Sequence, residues 1–571
     1  MKQILLFPLL LLFTVVSAAS QIVIDGRPAV CDSATGMMLL SVPDSVFGQP
    51  YSAPVIAMQD VTGLMINGQQ ITDHVDLPLV DGATSYPVEY LYNGKTVNST
   101  LRFTYLPVMR LDGEFNGEYA NGKVEMILPD AHEALQYDAR IKWAGTYGVH
   151  KHNYHIKFVD SVGAKMDVSF FGLRNDNHWR LDAGTVDMVR IRNKAAHALW
   201  AKFGHKPYFA DQQPKARNYV RGHHVEMFLN GEYLGFFDMA EFLDRKQMKL
   251  KKYDDELGEF HGMMWKGKDG TPQTLFNQSL PYDNNAENWG GFDVTYPDID
   301  DVCPTDFSVI SNAVDFVTGS NDQEFADHMG EYFDLPVMVD YYIFMQTLLA
   351  IDNTSKNIVW SCYDSQVDKK ITPSVWDFDA TVGQTWYDGP THYHNAEIQP
   401  EIDMDNISGR FTLFPRALLW HRLRDVPDFR LKMFNRYHQL RETVLDADSL
   451  VAHYEEIFRN LERAGALDRE YTRWSKDTDV AGLPLNFESE FSYLTDWLRR
   501  RVAYMDTHTF ARLLGDVNAD GEVNISDVTR LIDYLLTDEI SLIDVVNSDA
   551  DCNNEYNIAD VTSIISIILR Q

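Results

Sequence analysis

The stretch Asp516-Val-Asn518-Ala-Asp520-Gly521-Glu522-Val-Asn524-Ile-Ser-Asp527 returns as Asp549-Ala-Asp551-Cys-Asn553-Asn554-Glu555-Tyr-Asn557-Ile-Ala-Asp560, 33 residues further on. In each copy oxygen side chains occupy loop positions 1, 3, 5, 9 and 12, and Glu522 or Glu555 supplies a backbone carbonyl at position 7. That spacing wraps a hard cation such as Ca²⁺ in six or seven oxygens. Gly521 permits the sharp turn at position 6, and Asn554 is the next best residue for it. Behind each loop the apolar positions repeat too. Ile525, Val528, Leu531, Ile532, Leu535 and Leu536 answer to Ile558, Val561, Ile564, Ile565, Ile568 and Leu569, which predicts one apolar face on each of two short helices. A solvated acidic loop before an ordinary amphipathic helix is the plain alternative for one copy, but not for two in register.

Working outward, the chain has 571 residues, 45% hydrophobic and 12% aromatic, enough for three or four domains at roughly 150 residues each. Its 83 acidic and 50 basic residues give a net charge of -33, which opposes binding to phosphate backbones or anionic membranes, so nucleic acid is not an expected partner. Residues 1–20 read as an export signal: Lys2, the apolar run Ile4 to Val16, then Ser17, Ala18, Ala19 and Ser20, with cleavage expected after Ala18 or Ser20. The run is shorter than the ~20 residues a membrane span takes. The mature chain is expected outside the cell or at its surface. There are four cysteines, and Cys303 with Cys362 is the candidate disulfide.

Residues 21–104 carry alternating runs, Val88 to Tyr92 and Leu101 to Tyr105, split by Asn93-Gly94, with Asn67-Gly68 as an earlier turn, and so predict a small β-rich region. From 105 to 510 the order changes to strands through Lys157, a helix over about Asp187 to Lys202, a hairpin at Asn230-Gly231, then mostly helix. In the closing helix Phe491, Leu494, Leu498, Val502 and Met505 form the apolar face and Arg499 to Arg501 the polar one.

Two stretches of this region carry the chemistry. Asp352-Asn353-Thr-Ser-Lys356-Asn357 sets a carboxylate five positions before an amide, the spacing that serves a hydroxyl-orienting Asp and a Mg²⁺-holding Asn in phosphoryl transfer. Val375-Trp376-Asp377-Phe378-Asp379-Ala-Thr-Val-Gly383 puts carboxylates at the end of an apolar strand, suited to bridging Mg²⁺ to nucleotide phosphates. Either alone reads equally as a turn, since Asp and Asn initiate turns. Asp377 and Asp379 could also be half of a glycosidase acid/base pair, for which no partner segment is recognisable. His150, His152 and His155 alternate along a strand, so two at most share a face and surface positions are expected; Trp420, Trp474 and Trp497 read as helical core.

The tail, residues 513–571, resembles the dockerin family of duplicated half EF-hands: position 12 is Asp and not Glu, and the leading helix of each EF-hand is absent. The resemblance implies two calcium ions and a cohesin-type partner, met near the helix starts where Ser526, Arg530, Ala559 and Ser563 lie. The body, residues 105–510, resembles the CotH family of atypical kinases through Arg140-Ile-Lys142-Trp-Ala-Gly145, Lys151-His-Asn-Tyr154-His-Ile-Lys157-Phe, Asp187-Met-Val-Arg-Ile-Arg192-Asn193, Leu229-Asn-Gly-Glu-Tyr-Leu-Gly235 to Glu241, Asp352-Asn353 with Asn357, and Trp376-Asp377-Phe-Asp379.

By this resemblance Lys151 takes the place of the lysine on the α- and β-phosphates of ATP and Asp352 that of the catalytic aspartate. Asn357 with Asp377 or Asp379 would hold Mg²⁺, and Glu241 would bind nucleotide or stabilise the joint between lobes. Many relatives have Arg where Ala144 stands, and Arg140 and Lys142 are the charges that could substitute for it. The expected fold class is α+β: a β-rich N-terminal region, a two-lobed kinase-like domain, and an all-α tail with two calcium loops. Two functions follow. One is an ATP- and Mg²⁺-dependent kinase acting on seryl or threonyl groups of itself or exported partners. The other is a catalytically idle body displayed in an extracellular, polysaccharide-degrading assembly.

Overall fold

Asn-Gly pairs set the first hairpins. Asn93 (φ 51°) and Gly94 (φ 74°) turn strand Ser85–Tyr92 into Lys95–Thr104, and Asn67 with Gly68 turns Val61–Ile66 into Gln69–Gln70; both pairs take the left-handed conformation a two-residue hairpin loop needs. The computed structural model describes residues 22–57, 60–145, 149–350, 353–385, 392–393, 395–398, 417–476 and 483–570. The predicted signal, Asp352 and the segment 399–416 thus lie outside the described residues. Strands before residue 105 form sheets of four and six strands. Tyr86, Val88 and Tyr90 alternate inward and share one core with Ala53, Val55 and Leu77 of the opposite sheet, making a sandwich.

Next comes a closed barrel. Strands Val108–Asp112, Ala120–Ile127, Leu135–Ala144, Asn153–Val159, His178–Asp182, Glu232–Ala240 and Gly222–Leu229 neighbour one another in that order, and the last pairs in parallel with the first. Period-two burial fills the interior with Met126, Ile141, Ile156, Phe158, Trp179, Leu181 and Phe237. The intervening residues, including Arg140, Lys142, His155, Lys157, His178 and Arg180, therefore share the outer wall.

The remainder of the body is helical around a five-stranded sheet whose strands are Asn288–Trp289, Phe292–Tyr296, Met263–Gly267, Val359–Cys362 and Thr372–Ser374. Helix Leu335–Leu348 is buried on every side from Val337 to Leu348, as a central helix must be. Helices Pro427–Arg441, Phe487–Tyr504 and Arg192–Phe203 pack on it, helices Ala447–Arg463 and Ala466–Trp474 complete the helical part, and Trp420, Trp474 and Trp497 are core as expected. The tail adds helices Ile525–Thr537 and Ile558–Ile568 around Val517, Val528, Leu531, Val561 and Ile564. No helix among the described residues is long and apolar enough to cross a membrane.

Four expectations are corrected. The helix predicted from Asp187 begins at Arg192, because the Asp187 carboxylate accepts Val189 N (3.0 Å) and Arg192 N (2.7 Å) and Arg190 turns left-handed at φ 64°. Arg501 is fully buried, not on a polar face; it donates to Gln346 O (2.8 Å), which also accepts Leu349 N (3.3 Å), and to Ala396 O (3.1 Å) and Ile398 O (2.5 Å). All four cysteines are unbridged, with Cys362 buried and Cys303 exposed. Finally, the apolar face of each tail helix is wider than its core. Val528 and Leu531 are buried while Ile525, Ile532 and Leu536, roughly a quarter-turn around the helix, face solvent.

Candidate functional site

Past strand Thr372–Ser374 the chain runs through Val375 and Trp376 to Asp377, which holds the left-handed conformation at φ 65°. Such a conformation in a non-glycine residue costs of order 1 kcal/mol or more and persists only where neighbours enforce it. Two asparagines do so. Asn353 Nδ2 donates to Trp376 O (2.7 Å) and Asp377 O (3.3 Å), and Asn193 Oδ1 accepts Phe378 N (3.0 Å) while its Nδ2 donates to Asp182 Oδ2 (2.7 Å). Phe378 is buried against Phe344 and His197, leaving Asp377 and Asp379 half-buried on either side of it. Asn357 is buried and also left-handed, at φ 58°, with its N–H on Gly267 O (2.9 Å).

Cations face these carboxylates. Arg180 lies 5.1 Å and Lys266 5.7 Å from the Trp376 ring centre. Burial would lower the Arg180 pKa, yet Asp182, Asp377, Asp379 and Asp238 outweigh it and push it up. Burial pulls Lys266 down, against Asp377. The Asn353 Oδ1, Thr354 Oγ1 and Ser355 Oγ atoms are buried and have no hydrogen-bond partner among the described residues. Of these, Asn353 is tied to the Asp377 segment through its Nδ2, and an unpaired buried oxygen there fits a bound cation, which would give it a partner. Asn353 is the residue the sequence reading passed over; its signal was the Asp-Asn pair itself.

Arg180 is also the end of a basic wall. Across the barrel strands Arg140 faces Lys157, Lys142 faces His155, Lys157 faces His178 and His155 faces Arg180. Like charges directly opposite destabilise a sheet. Lys157, Lys142 and Arg140 gather over the Tyr119 ring at 4.4, 4.8 and 5.7 Å, and burial, helped by these neighbours, brings His155 and His178 down to about 3, so both are neutral. In a chain of net charge -33 this wall is a local attractor for anions. The histidine trio does not converge: His150 is exposed and His152 stacks on Trp143 at 3.9 Å.

Lys151 and Glu241 stand apart from Asp377. The Lys151 ammonium donates to Ala183 O (3.0 Å), Phe236 O (2.8 Å) and both Glu470 oxygens (2.8 and 2.9 Å), which occupies all three of its protons. Burial draws its pKa down to about 8, against the opposing pull of Glu470. Glu241, fully buried, pairs with Arg217 (3.2 Å) and Arg221 (2.8 Å) and accepts Arg174 N (2.8 Å).

In the tail, Asn524 and Asn557 at loop position 9 are the N-caps of the two helices, and Asp527 and Asp560 at position 12 return the bond to the cap N–H groups. The residues that could ligate an ion thus also start the helices. Gly521 (φ 87°) and Asn554 (φ 67°) make the position-6 turns. Oxygens of Asp549, Asp551 and Asp560 lie within 4.8 Å of one another, and burial followed by Asp551 and Asp549 pushes the Asp560 carboxyl up. Three crowded carboxylates fit a divalent cation. Beside the loops, Ile525 and Ile558 are each 68% exposed, Ile532 and Ile565 38% and 40%, Leu536 and Leu569 80% and 81%. The matched values show one apolar ridge built twice, next to exposed Ser526, Arg530 and Ala559 and half-buried Ser563.

No curated protein matches the chain. The family model described as CotH kinase protein matches residues 139–505, and that of the dockerin type I domain matches residues 514–569. Dockerin type I domains bind calcium and dock to cohesins. With the first match spanning well over half of its length, the chain belongs to the CotH kinase family and ends in a dockerin type I domain.

Proposed function

We propose that this is an exported kinase that transfers phosphate from Mg²⁺-ATP to seryl or threonyl hydroxyls, on itself or on neighbours it meets through a cohesin-bearing partner. The observation carrying this reading is the continuity of the basic wall, from Arg140 through Lys157 to Arg180, with the carboxylates Asp377 and Asp379. Phosphoryl transfer needs just that combination, positive charge along the phosphates and carboxylates for the metal, with positioning doing the remaining work. Asp377 or Asp379 with Asn357 or Asn353 would hold Mg²⁺, which when bound neutralises phosphate charge. Arg180 and Lys266 orient the anion from the barrel side and the sheet side, and Asp352 takes the role of accepting the hydroxyl proton.

The test is labelled ATP with Mg²⁺ and the mature protein. Wild type should acquire label, Asp377→Asn should not, and Asp352→Asn should slow labelling by about 10²–10⁴-fold. Equal labelling of all three proteins would refute the assignment. One observation favours a second reading, an idle body displayed in an extracellular assembly that degrades polysaccharide: Lys151 keeps no proton for a phosphate. On that reading wild type takes up no label, yet the tail still docks.

A further inference from the structure

The two calcium loops are bonded alike internally and differ in what lies outside them. Asp516 accepts Asp520 N on Oδ1 and Gly521 N on Oδ2, each at 3.0 Å. Asp549 accepts Asn553 N on Oδ1 and Asn554 N on Oδ2, again at 3.0 Å. Among the described residues only Asp549 receives a further donor, the Nδ2 of Asn435 on body helix Pro427–Arg441, which also donates to Asn554 Oδ1 at 3.0 Å. Asp549 is 0% and Asn435 8% exposed, so water does not compete for this bond.

The orientation of the Asn435 amide is fixed from its other side. Arg512 Nη1, in the connection to the tail, donates to Asn435 Oδ1 at 2.7 Å. A guanidinium only donates, so the oxygen must face it and the NH₂ must face the loop. Further contacts seat the same half of the module on the body: Val545 and Val546 join the body's main core, and Arg430 reaches Asp544 at 3.6 Å. The first loop instead packs within the module, where Asp544 N donates to Val517 O at 2.8 Å.

We propose that Asn435 is a positioning residue for the second calcium loop, so that ion uptake there and seating of the tail on the body are one coupled equilibrium while the first loop binds its ion independently. Asp549 Oδ2 takes two N–H donors and Oδ1 one, from Asn553 N, so Oδ1 keeps more of its lone-pair capacity for a cation held with Asp551 and Asp560. Outer-sphere donors of this kind are worth about 10–100-fold in metal affinity. By linkage, whatever seating adds to the ion's affinity, the ion adds to seating. The proposal rests on both loops holding calcium.

The experiment is calorimetric titration of the full-length, calcium-stripped protein with Ca²⁺. Asn435→Ala should weaken one site by about tenfold or more and leave the other within about twofold. Asp516→Ala should remove the unaffected site, identifying it as the first loop. Arg512→Met removes no oxygen ligand; it frees the amide to rotate and gives up a contact with the Cys552 thiol of the second loop, and should weaken the same site by a smaller factor. Hydrogen exchange at Val545 and Val546 gives a second readout: calcium should protect them in wild type, at higher concentration in Asn435→Ala. Two sites that bind normally and ignore Asn435→Ala and Arg512→Met would overturn this proposal alone. A wild-type chain that takes up no calcium would overturn the reading of the loops, and this proposal with it.

Discussion

Removing the charge of Glu470 should unfold the body more readily than any comparable surface change. Glu470 is fully buried and accepts from Lys151 Nζ through both oxygens, from Arg190 Nε (3.2 Å) and from Phe236 N (3.3 Å). Gly235 lies so near that an added Cβ would stand 2.0 Å from Oε2, so the site has no slack for a rearranged side chain or for water. Glu470→Gln keeps the shape and leaves two buried cations facing an amide. Breaking a buried pair in this way costs about 3–5 kcal/mol, against total stabilities of about 5–15 kcal/mol. Urea unfolding followed by tryptophan fluorescence suits the question, because Trp474 bonds Leu234 O (2.9 Å) across the same seam. At about 3 kcal/mol per molar urea, the midpoint should fall by about 1 M or more. Glu462→Gln, half exposed with Arg459, should change stability by under about 1 kcal/mol. A Glu470→Gln midpoint no lower than that of Glu462→Gln would refute the reasoning.

Four further outcomes are expected. Arg501→Met withdraws the guanidinium donor from Ala396 O and Ile398 O and one of two donors from Gln346 O, and should destabilise the body by about 2 kcal/mol or more, read in the same titration. Leu536→Asp with Leu569→Asp should abolish capture by an immobilised cohesin without lowering the melting temperature, since both side chains are about 80% exposed. Chelation should lower the far-ultraviolet helical signal of the tail, whose helices of 13 and 11 residues are too short to persist alone. Burial, with Arg180 next, holds His197 down to about 3, so between there and 6.5 the unfolded chain binds a proton that the folded chain does not. Stability therefore falls as pH drops below 6.5, and His197→Phe should relieve about 2 kcal/mol of the loss at pH 5, seen in melting curves at pH 5 and 8.

Features whose cause is local were legible in the sequence. The loop spacing and the Asn-Gly hairpins each depend on residues within about a dozen positions, and local chemistry decides them. The ion-pair partner of Lys151 was not legible, because Glu470 is 319 residues away and nothing in its surroundings marks it as buried. Arg501 misled because helical spacing describes a face but not what covers it; the irregular stretch holding Ala396 and Ile398 covers this one and points carbonyls at the guanidinium. The second sheet was missed because its strands are two to five residues long and scattered from 263 to 374. Asn435 carries no motif at all, and its meaning comes from the loop that arrives beside it.

The distance along the chain between Lys151 and Glu470 also sets an order of assembly. The N-terminal sandwich can form its sheets as soon as residue 104 is available, since every strand of them pairs within residues 22–104 and only the Val30 and Leu39 side waits for the barrel. The barrel can bring its strands together by residue 240, but its buried ammonium then lacks a carboxylate, and water must stay with it. Only when helix Ala466–Trp474 arrives can that side of the barrel dry. The body therefore completes its folding late, as one piece, and a chain interrupted before residue 470 should emerge with a finished sandwich and an unsealed barrel behind it.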